Sequence, residues 1–386
     1  MQAFTHHTPT EIMFGRSTEE QVGALIKKYG GTRVMVVYGG GSVVKSGLLK
    51  RVSDKLSSEQ IVFTEFGGVK PNPLLSHARD GVEIAKEFKA DFILAVGGGS
   101  AIDTAKAIAL GTVSPEIDIW KFWKREIPVE KSLPVGVILT IAAAGSETSN
   151  SAVLTDVDAG EKRGFSCELM RPCFAIMNPE LTFTLPKYQI ACGVTDIFMH
   201  TLDRYFTQTE GNQLTDEIAR AILRTLIKNA PKALENPFDY EAVSEIMWCG
   251  SLSHNGITGL GRPMDFSVHQ LGHELGGRFD KAHGATLATM WGSWAKYCYE
   301  VKPERFAHYS ENVWGDRNGN GIESTIVFFK SIGMPTCFTE LGVGILEDKA
   351  IEEMAESCVF YGKRTIGNFK VLKKEDVVEI YKMANH

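Results

Sequence analysis

Two groups of side chains in this chain of 386 residues have the makings of a reactive site. The first is a set of imidazoles and carboxylates. Asp196 and His200 lie four apart in a helical run, VTDIFMHTLDRYF, a spacing that puts both on one face. His269 and His273 repeat that spacing in DFSVHQLGHELGG, and His283 follows in Ala282-His283-Gly284. Of the 10 histidines, three therefore crowd between His269 and His283. One carboxylate with two or three imidazoles suits a first-row divalent ion such as Fe²⁺ or Zn²⁺, with a position left open for a substrate. Other metal readings fail on detail. His273-Glu274 runs into Leu275-Gly276-Gly277, so the HExxH of a metalloprotease is absent. Asp316–Gly321 starts like a calcium loop, but Val327 stands where its bidentate Glu belongs; an exposed turn is expected there.

The second group is glycine. Gly97-Gly98-Gly99-Ser100-Ala101-Ile102-Asp103 sits between an apolar run and a helical one. Glycines let backbone approach a ligand closely, and a helix N-terminus offers free N–H groups to a phosphate. Tyr38-Gly39-Gly40-Gly41-Ser42 repeats the device after the first apolar run. Dinucleotide sites for NAD place a carboxylate after a strand to hold the ribose 2′-OH. Here Ser42 and Lys45 stand instead, which predicts a cofactor bearing the 2′-phosphate, NADP(H), with NAD as the alternative.

These loops need elements to hold them. Arg33–Tyr38, Ile61–Phe66, Asp91–Val96 and Val135–Thr140 read as strands, and Ser46–Leu56, Leu74–Phe88 and Ala101–Leu110 as helices. Strands apolar throughout and separated by helices predict a parallel sheet covered on both faces, a doubly wound α/β layer. Short strand-like pieces follow at Ala152–Thr155, Arg163–Cys167 and Cys173–Met177. After Thr184-Leu185-Pro186 the pattern is helical almost to the end. The expectation is a dinucleotide-binding α/β domain over 1–183 and an all-helical metal-binding domain over 184–386. The net charge of −6 argues against nucleic acid or an anionic membrane as partner. The N-terminus carries no basic stretch followed by an apolar run, so no secretory signal is expected. Seven scattered cysteines without a CxxC pair read as reduced thiols of a cytoplasmic protein.

Taken together, Thr8-Pro9-Thr10 with Phe14-Gly15, Tyr38–Ser42, Pro71-Asn72-Pro73, Gly97–Lys106, Gly145-Ser146-Glu147, Asp196-x3-His200 and His269-x3-His273-x9-His283-Gly284 form a specific signature. On these residues the chain resembles, over essentially its whole length, the iron-dependent (group III) alcohol dehydrogenases. Within them it is similar to the butanol dehydrogenases and NADPH-dependent aldehyde reductases. The resemblance implies a dehydroquinate synthase-like fold. It implies Asp196, His200, His269 and His283 as metal ligands and His273 as a histidine near substrate and nicotinamide that is not a ligand. It implies Gly98, Gly99, Ser100 and Asp103 as the pyrophosphate loop and Asn72, Thr140 and Lys162 as further cofactor contacts, beside Gly39, Gly40 and Ser42. Members of the family use Fe²⁺ or Zn²⁺ and often form homodimers, with the active site in the cleft between the domains.

Two departures stand out. Ala143-Ala144 replace a family Thr before Gly145, which removes a cofactor hydrogen bond or leaves it to Ser146. Asn178-Pro179 replaces Asp-Pro, a turn detail. The expected reaction is hydride transfer between NADP(H) and a small aldehyde or primary alcohol such as butanal or butanol, with His273 as proton relay. Trp248, Met264, Phe266 and Leu275 favour an apolar substrate. The alternatives are a glycerol or other polyol dehydrogenase of the same superfamily and, from another class, a metallohydrolase.

Overall fold

The computed structural model describes residues 1–386. Its strands are β1 (Glu11–Phe14), β2 (Arg33–Gly39), β3 (Val62–Val69), β4 (Phe92–Gly97), β5 (Val135–Leu139), β6 (Ser151–Asp156), β7 (Glu161–Ser166) and β8 (Phe174–Met177). The helices of the first half are α1 (Val22–Lys28), α2 (Ser42–Lys45), α3 (Leu48–Ser58), α4 (Leu75–Phe88), α5 (Gly99–Thr112) and α6 (Trp120–Trp123). Six strands form one parallel sheet in the order β1-β8-β5-β4-β2-β3, and β6 and β7 form an antiparallel hairpin. Every residue of β4 and β5 is buried, as a sheet covered on both faces requires. On one face Val34, Val36, Leu94, Val96 and Ile138 pack with Ile26, Val52 and Leu56. This is the doubly wound layer expected from the alternating runs.

Two local readings differ. The helix expected over Ser46–Leu56 is α3, which starts at Leu48 because Gly47, at φ 73°, turns the chain left-handed, and the short helix α2 precedes it unforeseen. Strand β1 escaped notice because four residues give no usable period; its pairing with β8 makes it a strand.

Two buried side chains of opposite charge brace the connection after β5. Lys106, fully buried in α5, donates to the carbonyls of Ser146 (2.7 Å), Ser149 (3.1 Å) and Ser151 (2.8 Å). One turn earlier Asp103 accepts from the Ser146 hydroxyl (2.7 Å) and the Val153 N–H (2.9 Å). Burial pushes the Lys106 ammonium down to about 8, against the pull of Asp103. Helix α5 thus holds both the segment before β6 and β6 itself.

The second compact unit comprises Leu185–His386 together with Met1–His6; the first is His7–Thr184. Its helices are α7 (Lys187–Tyr205), α8 (Gln213–Glu235), α9 (Tyr240–His254), α10 (Ser267–Phe279), α11 (His283–Cys298), α12 (Pro303–Tyr309), α13 (Gly321–Ser331), α14 (Asp348–Cys358) and α15 (Lys374–Ala384). Helix α7 packs against α8, α9, α10 and α11 and is buried without interruption from Gly193 to Tyr205. Asp316 heads an exposed turn, accepting from the N–H groups of Asn318 and Asn320. No helix is long and apolar enough to cross a membrane.

Replacing Lys106 by Met should destabilise the chain by about 3–5 kcal/mol, because the carbonyls of Ser146, Ser149 and Ser151 lose their buried donor and the buried Asp103 carboxylate loses a nearby opposite charge. Urea unfolding of the two proteins measures this.

Candidate metal centre and nucleotide crevice

A helix buried all round normally carries apolar residues. Helix α7 instead places Asp196, His200 and Asp203 along one stripe, at i, i+4 and i+7, in the interior of the helical unit. Helix α10 adds His269, and α11 begins with His283. The approach of α11 depends on Gly284: a Cβ there would lie 2.2 Å from the Cys192 carbonyl oxygen of α7.

The side chains converge on one atom. Asp196 Oδ1 lies 3.4 Å from His200 Nε2, 3.6 Å from His269 Nε2 and 3.7 Å from His283 Nε2. Donors on a tetrahedral ion with bonds of about 2.1 Å stand about 3.4 Å apart. The donors of Asp196, His200 and His269 all fall within 4.8 Å of one another; His283 lies outside this tightest group. Asp196 Oδ1 and His269 Nε2 are buried and make no hydrogen bond. Buried polar atoms normally have partners, so two such atoms facing each other fit a cation between them.

The surrounding groups set the imidazoles. His269 turns Nδ1 to the Asp203 carboxylate, leaving Nε2 for the centre. This is the carboxylate–histidine–metal arrangement that fixes ring orientation and raises ligand basicity. Burial opposes a charge on His269, yet Asp203 and then Asp196 push its pKa up to about 9. Burial, then His254, His269 and Arg204, hold His200 well below the usual histidine range. Arg204 donates to the His200 carbonyl at 2.7 Å and lies 3.3 Å from its Nδ1. Its guanidinium sits 4.7 Å from the Phe266 ring centre. Phe266, strained at φ 59°, sets its ring against His200 and His269. Of the other residues expected to give an apolar pocket, Leu275 is buried in the core and Trp248 and Met264 are exposed. His273 lies 5.2 Å from His283 and 6.3 Å from His269, ring centre to ring centre, apart from the tight group.

Sequence reasoning missed Asp203 and His254. Asp203 was signalled by its i+7 spacing from Asp196. His254, whose Nδ1 lies 3.1 Å from His200 Nε2, ends a different helix and has no such signal.

In the α/β unit the chain runs from β2 outward to β3, then returns to the other side of β2 for β4. The sheet therefore has its switch point between β2 and β4, where doubly wound sheets bind ligands beyond the strand carboxyl ends. Gly39 ends β2 and Gly40–Ser42 follows it, and Gly98–Ser100 follows β4 and opens α5. A Cβ on Gly98 would lie 2.2 Å from the Ile141 side chain, so only glycine holds this course. Thr140 donates its N–H to the Gly97 carbonyl at 3.1 Å, at the end of β5. Lys162 donates to Asn72 Oδ1 at 2.9 Å, while Thr155 N–H reaches the Pro73 carbonyl at 2.8 Å. The hairpin thereby joins the Asn72 loop. Asp103, one turn into the helix that this loop opens, has both oxygens engaged, by the Ser146 hydroxyl and the Val153 N–H, and makes no hydrogen bond to the loop. The Ser146 hydroxyl donates to Asp103 and accepts from Lys106. Asn178 keeps the capping role of an Asp, accepting from the Glu180 N–H.

The pattern of the iron-containing alcohol dehydrogenases matches residues 9–179, and that of their C-terminal region matches residues 190–385. The chain belongs to the iron-containing alcohol dehydrogenase family. It is 40% identical to the NADH-dependent butanol dehydrogenase A of Clostridium acetobutylicum, with 100% of both chains covered. It is 34% identical to the NADPH-dependent aldehyde reductase YqhD of Escherichia coli, again over 100% of each. A solved structure of NADH-dependent butanol dehydrogenase A from Thermotoga maritima superposes with a TM-score of 0.95 at 35% identity, covering 100% of this chain and 99% of that one. As an iron-containing alcohol dehydrogenase the chain is an oxidoreductase of the butanol dehydrogenase and aldehyde reductase branch, with a pyridine nucleotide cofactor and a metal site.

Asp203→Asn should lower metal affinity about 10–100-fold while leaving the fold intact; chelator competition on metal-stripped protein measures it. Gly98→Val should weaken NADPH binding about tenfold or more, with metal affinity unchanged, as read by nucleotide fluorescence.

Proposed function

We propose that the chain reduces small aliphatic aldehydes such as butanal, and oxidises the matching primary alcohols, with NADP(H) preferred over NAD(H). The observation that carries this reading is the convergence of three imidazoles on Asp196 Oδ1 in a chain that also has a glycine-lined dinucleotide crevice. A divalent ion bound there supplies a Lewis acid to a carbonyl oxygen, and a bound nicotinamide carries the hydride.

The chain's own groups do the rest. Asp196 brings one negative charge to the centre, and burial, which holds His200 well below the usual histidine range, favours the uncharged imidazole that ligation through Nε2 needs. Asp203 holds the His269 ring with Nε2 inward. Gly98, Gly99 and Ser100 present the N-terminus of α5 to a pyrophosphate, with Asn72, Thr140 and Lys162 as further contacts. The absence of a carboxylate between Tyr38 and Lys45 supports the 2′-phosphate preference. His273, beside His283, is the relay that delivers a proton to the product oxygen. Phe266 gives the centre an apolar wall, which favours an aliphatic substrate over a polyol. A hydrolase would have no use for the crevice. One oxygen and three nitrogen donors serve Fe²⁺ and Zn²⁺ alike. The reading includes a homodimer, measured by sedimentation, and a cytoplasmic location, which seven free thiols support.

The test is a butanal assay with NADPH and with NADH, on enzyme reconstituted separately with Fe²⁺ and Zn²⁺, with glycerol oxidation run beside it. An NADPH-to-NADH efficiency ratio above one is expected; a ratio below one removes the NADP(H) preference. His269→Ala should lose metal and activity together. His273→Ala should keep its metal and turn over about 10²–10⁴-fold more slowly; full activity in that variant rejects the relay.

A further inference from the structure

Phe266 stands at φ 59°, a backbone conformation that a bulky residue keeps only where its surroundings impose it. The groups that impose it meet on the residue before. The Asp265 N–H donates to the Asp203 carbonyl at 2.7 Å. Asp265 Oδ1 reaches past Phe266 and accepts from the Ser267 N–H at 2.9 Å and from the Ser267 hydroxyl. This is the turn that Asp makes with backbone two residues on. The Phe266 carbonyl then takes the Gln270 N–H at 3.1 Å as α10 begins.

A turn of this kind needs one oxygen, and Asn or Ser would serve it. Asp265 uses its second oxygen elsewhere. Oδ2 accepts from the N–H groups of Asn368 at 2.8 Å and Phe369 at 2.7 Å, and Asn368 Nδ2 answers by donating to the Met264 carbonyl at 2.7 Å. That partner turn is rigid. Ile366 and Leu372 pair across its base, and Phe369 is fully buried against Phe206, Trp294 and Phe306. Gly367, at φ 80°, lets it close on the carboxylate: a Cβ there would stand 3.0 Å from Asp265 Oδ2 and 2.6 Å from the Lys370 carbonyl oxygen. One buried carboxylate thus ties the start of α10 to the aromatic core. The Phe266 ring it fixes lies 5.3 Å from the His269 ring and 6.0 Å from the His200 ring, centre to centre.

We propose that Asp265 is a positioning residue for substrate selectivity: by tying α10 to the Gly367–Phe369 turn it holds Phe266 as a fixed wall beside the metal centre, and so restricts the site to unbranched substrates. The proposal rests on the metal-centre and aldehyde–alcohol readings above. Asp265 touches no substrate and acts through the Phe266 ring.

The experiment measures butanol and the bulkier neopentyl alcohol binding, without nucleotide, to Co²⁺-substituted full-length protein. The visible absorption of the ion reports each Kd, and circular dichroism checks folding. Wild type should favour butanol. Phe266→Ala should move the ratio of the two Kd values about tenfold or more toward neopentyl alcohol. Asp265→Asn, whose amide cannot accept from both N–H groups of the partner turn, should move it the same way. Combining the two should shift the ratio no further than Phe266→Ala alone. Ser267→Ala removes a single donor to Asp265 Oδ1 and should give a smaller shift in the same sense, which keeps the test should Asp265→Asn not fold. The kcat/KM ratio for butanal and pivaldehyde should follow the Kd ratio. A wild-type Kd ratio in folded Asp265→Asn overturns the proposal, as does a wild-type ratio in Ser267→Ala where Asp265→Asn does not fold. Additive shifts in the double variant overturn it too, since Asp265 would then only brace the fold. Wild type that takes up no stoichiometric Co²⁺ removes the metal-centre reading as well, which separates the two failures.

Discussion

The constraint on which the helical unit turns is the burial of the Asp196 carboxylate inside a helix with no solvent-facing side at that level. An isolated carboxylate taken out of water costs several kcal/mol, and only a counter-charge or a dense set of donors offsets it. Here imidazoles from three helices stand around Asp196 Oδ1 without hydrogen-bonding it, His200 on α7, His269 on α10 and His283 on α11, which leaves the charge to be met by a cation. Much of the local packing follows from it. Helix α11 must come close enough to α7 that only glycine fits at position 284, and Phe266 accepts a left-handed backbone where its ring closes one side. Asp203 repeats the problem one layer out and resolves it on the His269 ring.

The α/β unit handles its buried charges differently. Lys106 and Asp103 oppose each other within one turn of α5, and their remaining capacity goes to backbone groups between Ser146 and Val153. No ligand is involved. Buried charge is in one case a brace and in the other an invitation to a cation. The difference lies in whether every polar atom already has its partner.

Much of this was legible in the residues. Apolar runs of four to six residues between helical periods are hard to read as anything but a parallel sheet, and two glycine loops at strand ends mark a crevice. The i, i+4 pairs announced a metal face because helical spacing is fixed by geometry. What was not legible depends on contacts between distant segments. His254 and Asp203 join the centre only through packing of α9 and α10 on α7. The brief β1 exists only as a partner for β8. The apolar pocket was half misread, since Leu275 packs inward on a helix whose other face carries the histidines. Ser146 looked free in the sequence and is committed to Asp103.

The two glycine loops differ in a way that bears on how such a scaffold diversifies. At Gly98 a side chain would strike Ile141, and the segment next to it is tied down from α5. At Gly40 an added Cβ would meet nothing within 4 Å. Gly98 in the loop after β4 is frozen by Ile141, while position 40 in the loop after β2 has room to accept a side chain without disturbing the sheet. On the proposed reading of the two loops, nucleotide preference can drift at one strand end while pyrophosphate binding stays constant at the other, and the relatives divide between NADH and NADPH.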